Sequence, residues 1–126
     1  MKKIAFFVML IVLSACSKKS TPAPDVTITY HINGSTEASY YIGYTGPDGK
    51  PVNTTFTGIN WSKSITANQA GGFTNAVLSI VLTSQSTVVM GNADISVNDK
   101  ISSQVPITLD SNNGSTDLTF YATVFK

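Results

Sequence analysis

The sequence predicts an all-β fold, an immunoglobulin-like antiparallel β-sandwich of seven or eight strands. Three observations carry the prediction. From Asp25 onward apolar and polar residues alternate with a period of two; clusters of Gly, Pro, Asn and Asp recur about every 8–12 residues; and no stretch sustains the 3.6-residue period of an amphipathic helix. A small barrel is the alternative arrangement of the same strands.

The first strand is read from Val26, Ile28, Tyr30 and Ile32, which alternate with Thr27, Thr29 and His31 and end at Asn33-Gly34. The second places Tyr40, Ile42 and Tyr44 on one face and Tyr41, Gly43 and Thr45 on the other. Gly46-Pro47-Asp48-Gly49 supplies turn chemistry: Pro presets φ, Asp accepts a hydrogen bond from its own turn, and Gly tolerates positive φ. Val52–Thr57 suits a short Thr-rich strand, and Trp61, Lys63 and Ile65 resume the alternation after Gly58. Thr66–Thr74, with two Gly, reads as a loop.

Asn75–Ser84 has Ala76, Leu78, Ile80 and Leu82 on one face, and Val77 and Val81 on the other predict a strand covered on both sides. Val88–Val97 follows, then Asn98-Asp99-Lys100 as a tight return into Ile101–Leu109. Pro106 consigns that strand to an edge or a bulge, because Pro cannot donate to the ladder. After the turn cluster Asp110–Ser115, the strand Thr116–Phe125 closes the domain through Leu118, Phe120, Ala122 and Val124. Trp61 is expected to fill the space between the sheets.

The front of the chain follows a different logic. Lys2 and Lys3 precede an unbroken apolar run, Ile4–Leu13, then Ser14, Ala15 and the only Cys, Cys16. The run is too short to span a hydrocarbon core of about 30 Å, but has the length of a signal-peptide apolar region. Leu13-Ser14-Ala15-Cys16 resembles the lipobox of bacterial lipoproteins, in which the Cys thiol is acylated and the chain is cut before it. The resemblance implies a signal peptide over residues 1–15 and a membrane partner engaged through lipid on Cys16. Ser17–Asp25, polar and carrying Pro22 and Pro24, reads as a tether reaching about 30 Å, ahead of a folded domain over residues 26–126. Ser17 stands where the best-known sorting rule has an inner-membrane retention Asp, so the expected address is the cell envelope, at the outer membrane.

Composition narrows function. Of 126 residues, 42% are hydrophobic and 12% charged, which suits a packed domain rather than a disordered chain. Eight Lys and no Arg against seven carboxylates give a net charge of +1, and without a basic, Arg-bearing surface nucleic acid is excluded as a partner. One His, His31, and no second thiol leave no Cys/His pair and no multi-His metal site, so no catalytic residue, metal or cofactor is expected. His31 is expected at a rim, and Asp94, the carboxylate in mid-strand, facing solvent. Tyr40, Tyr41 and Tyr44 form a candidate recognition surface. Adjacent residues face opposite ways, so at least one of the three rings leaves the core.

Tyr30-His31-Ile32-Asn33-Gly34, Tyr41-Ile42-Gly43-Tyr44, Asn60-Trp61-Ser62 and Asp94-Ile95-Ser96-Val97-Asn98-Asp99 occur in the order of similar steps in the mycobacterial small membrane protein (MmpS) family. Residues 26–101 resemble the periplasmic domain of that family, which implies a β-sandwich and a role assisting a large transporter. The chain departs from it in carrying a lipid signal in place of a transmembrane helix, and in lacking a Cys pair, Ala93 standing near one of those positions. The expected function is a lipid-anchored envelope binding or accessory module without catalysis, with an envelope protein or transporter as partner. The alternative is a surface adhesin or glycan-binding lipoprotein.

Overall fold

The computed structural model describes residues 24–71 and 73–125, so the expected signal peptide, Cys16 and the expected tether up to residue 23 lie outside the described residues. Six strands follow in order: β1 (Asp25–Thr45), β2 (Pro51–Asn68), β3 (Asn75–Leu82), β4 (Val88–Val97), β5 (Lys100–Asp110) and β6 (Asp117–Thr123). A single 3-10 turn, Gln69–Gly71, leads out of β2. All pairings are antiparallel and join one sheet in the order β5-β4-β1-β3-β6, with β2 on the other edge of β1.

The count is six rather than seven or eight because four expected strands are two long ones. Asn33-Gly34 does not end the first strand; β1 runs through it to Thr45 and pairs with β2 from end to end. The register slips once, between the pairs Asn33↔Asn60 and Ala38↔Gly58. There the hairpin bends sharply. Fourteen residues of flat strand would hold Tyr30 and Tyr44 about 48 Å apart, yet their ring centroids are 5.3 Å apart and the Tyr30 hydroxyl donates to the Thr45 carbonyl at 2.7 Å. The hairpin therefore closes on itself, and the sheet is nearly barrel-shaped. The inner half of β1 faces β4 over Ile28–Gly34, and its outer half faces β3 over Tyr40–Tyr44. The far strands meet on the other side, where the Ser102 hydroxyl donates to the Thr123 carbonyl at 3.3 Å.

The alternation places the core as expected. Ile28, Tyr30, Ile32, Tyr40 and Ile42 of β1 are buried against Leu78, Ile80, Ile95 and Leu109. Turn chemistry also behaves as its residues dictate. Gly49 takes φ +79°, and the Lys50 amide donates to Asp48 Oδ1 at 3.1 Å. Asn98 and Asp99 both adopt positive φ (50° and 64°), which matches a two-residue hairpin to the right-handed twist of β4 and β5. Pro106 sits on β5, whose one ladder partner among the described strands is β4, so its missing N–H costs no pairing.

Three expectations are corrected. Thr66–Asn68 belong to β2, because their partners Asp25–Thr27 extend the ladder. Val77 is 38% exposed, so β3 is covered on one face. Asp94, expected in solvent, is 6% exposed, for reasons its neighbours supply.

Candidate functional site

The register of β2, β1, β3 and β6 sets side chains in rows on the outward face. Asn53, Gly43, Ser79 and Thr119 form one row, and Tyr41, Val81 and Asp117 the next. Val77 and Tyr121 pair one step further along. Gly43 has no side chain to fill its place, and a depression of about 340 Å³ opens there between Thr45, Pro51, Asn53, Val77 and Ser79. Its edges are fixed by local bonds. Thr45 Oγ1 accepts the Val77 amide at 2.9 Å, Thr119 Oγ1 donates to Ser79 Oγ at 3.0 Å, and the Gly46 amide donates to the Lys50 carbonyl at 2.8 Å. Tyr41 (44% exposed) and Tyr121 (66% exposed) stand on the same outward face, outside the lining of the depression. The site offers hydroxyl and amide groups for hydrogen bonding and two ring faces for stacking.

Of the three candidate tyrosines, only Tyr41 reaches this surface. Tyr40 and Tyr44 are buried, at 1% and 9% exposure, since both share the inward parity of Ile42. Tyr40 stacks on Phe56 (6.3 Å, 10° between planes), and burial pushes its hydroxyl pKa up. Trp61 is half-buried at the margin of the core and tilts against Tyr44 at 5.8 Å, rather than filling the centre. Tyr121, Gly43, Asn53 and Ser79 were not singled out by sequence. Parity alone marks Tyr121 as outward, since its neighbours Phe120 and Ala122 face the core.

A second polar group lies on the outward face of β1 and β4. His31 and Asp94 are cross-strand partners, and Asp94 Oδ1 accepts from His31 Nδ1 at 2.9 Å and from Ser96 Oγ at 3.2 Å. These bonds compensate the buried carboxylate. Ser62 lies across from His31 on β2, but no hydrogen bond joins them, so the three do not form a charge-oriented nucleophile. Among the described residues no three His, Cys, Asp or Glu side chains gather to hold a metal ion.

No protein-family model and no curated protein matches the chain.

Proposed function

We propose that the protein is a lipid-anchored, non-catalytic module of the cell envelope that binds a glycan across the outward face of β2, β1, β3 and β6. The observation that carries this reading is the pair of exposed rings, Tyr41 and Tyr121, on the outward face that also holds a depression edged by amide and hydroxyl groups. Sugar rings present apolar C–H faces for stacking and hydroxyls for hydrogen bonding, and this surface offers both partners. Two strand spacings of about 4.8 Å and four residue rises of about 3.4 Å separate Tyr41 from Tyr121 by about 17 Å along the sheet, the reach of an oligosaccharide rather than a single sugar. A shallow, hydroxyl-edged sheet face favours this reading over a transporter accessory.

The lipobox-like Leu13–Cys16 supports the anchor, with residues 17–25 as tether and the outer membrane as address. We read the fold as an immunoglobulin-like β-sandwich. Its support is the bend of β1 and β2, which separates a half-sheet bearing β4 and β5 from one bearing β3 and β6.

A glycan array probed with the full chain, followed by calorimetry on the best hit, tests the binding reading. Tyr41→Ala and Tyr121→Ala are each expected to weaken binding about tenfold, or 1.4 kcal/mol. Gly43→Val should fill the depression and abolish binding with little change in melting temperature, because its Cβ meets only the amide oxygen of the exposed Asn53 side chain at 3.1 Å and Ser79 Cβ at 3.7 Å. Absence of any glycan ligand, or variants that bind like the parent, defeats the reading. The anchor is tested separately: Cys16→Ser should leave the chain uncleaved or release it from the membrane fraction.

A further inference from the structure

We propose that the protein forms a two-fold homodimer by antiparallel pairing of β2 with β2 of a second copy, an assembly independent of the glycan reading. Among the described residues, β2 pairs with β1 alone, so its second edge carries no strand. Such edges are ordinarily blunted by charge, proline or short length. This one is 18 residues long, has its single proline at its first position, Pro51, and carries one charged side chain, Lys63. Next to that edge the inward side chains Val52, Phe56 and Trp61 are only half-buried, and Ile59 is 45% exposed.

The choice of a second copy rests on register. The slip opposite Asn33–Ala38 reverses the parity of β2: Val52, Thr54 and Phe56 share the inward face before it, and Trp61, Lys63 and Ile65 share it after. An antiparallel self-pairing centred between Gly58 and Ile59 then sets every inward residue against an inward residue. Val52 meets Ile65 of the second copy, Thr54 meets Lys63, and Phe56 meets Trp61. At the axis each exposed Ile59 faces a Gly58, over which the same copy's Phe56 ring already lies. The two lysines are not opposed, so no like charges meet across the ladder. The same patch serves both copies, as a closed two-fold interface requires. The half-covered Phe56 and Trp61 rings cover one another.

Cross-linking of the full chain in its own membrane tests the register. Thr55 lies opposite Ser62 of the second copy, whereas on one strand the two are seven residues apart and lie on either side of the bend. In the double variant Thr55→Cys/Ser62→Cys, copper–phenanthroline accepts two electrons and two protons leave as each pair of thiols becomes a disulfide. A dimer band on a non-reducing gel is expected for this variant. The shifted pair Thr55→Cys/Ser64→Cys, each single variant and the parent chain should give at least fivefold less. Equal yields, or no dimer, overturn the proposal. Added to the cross-linking pair, Thr54→Lys should lower the yield several-fold by facing Lys63, and Lys63→Glu should restore it. An unchanged yield, or a loss without restoration, also overturns it.

Discussion

Tyr30 and Tyr40 both point inward from β1, yet one hydrogen bond separates them. The Tyr30 hydroxyl donates to the Thr45 carbonyl, whereas the buried Tyr40 hydroxyl has no partner. Burying an unpaired hydroxyl costs about 1–3 kcal/mol, and a satisfied bond contributes about 1 kcal/mol. Tyr30→Phe is therefore expected to destabilise by about 1–2 kcal/mol, while Tyr40→Phe, which removes the orphan, should be neutral or stabilising; urea denaturation of both separates them. The two rings also set the alkaline limit. Burial pushes both phenols above the ordinary tyrosine value of 10.0. Between that value and the raised one the folded state keeps protons that the unfolded state has released. Their contribution is thus fully present below about pH 10 and lost as pH rises beyond it. The urea midpoint should fall from pH 9 to 11, and fall less in Tyr30→Phe. At this scale the sequence told that Tyr40 and Tyr41 face opposite ways, but not that Tyr41 is the exposed one and Tyr40 the buried one. It could not tell that Asp94 is covered, because that depends on His31 and Ser96 meeting it across and along a strand pair whose partners are 63 residues apart.

The elements themselves were legible where periodicity and turn residues agree, as at Gly46–Gly49 and Asn98-Asp99. They were misread where a Gly-bearing step continues a strand. Asn33-Gly34 has the composition of a turn, but its ladder partners are already in place: Asn33 pairs with Asn60 and with Asn92, and Gly34 with Gly91. Pairing on both sides overrides local turn preference, and no sequence period reports a neighbour's register. The approach there is close. A side chain on Gly91 would collide with the Asn33 carbonyl, and Gly91 holds φ +152°. Gly91→Ala should therefore cost more than about 1 kcal/mol, which in a domain of this size lowers the melting temperature by at least about 4 °C. A melting curve like the parent's would mean that β1 and β4 can separate there without loss.

For the whole molecule, composition and alternation foretold an all-β domain, and offered the closing of the sheet only as the alternative, a small barrel. Alternation fixes faces and is blind to curvature; the near-barrel shape depends on one slip in one hairpin and on the contact of Tyr30 with Tyr44 and Thr45. The central place of β1 also has a consequence in time. Its partners lie on β2, β3 and β4, so its register is complete only once Val97, paired with Ile28, has been made. β3 in turn waits for β6, almost at the end of the chain. Contacts so distant along the chain make folding slow, on the scale of milliseconds to seconds. A growing chain must therefore carry the apolar side of its first hairpin uncovered until most of its length has emerged, and it is during that interval, rather than after folding, that it most needs a chaperone.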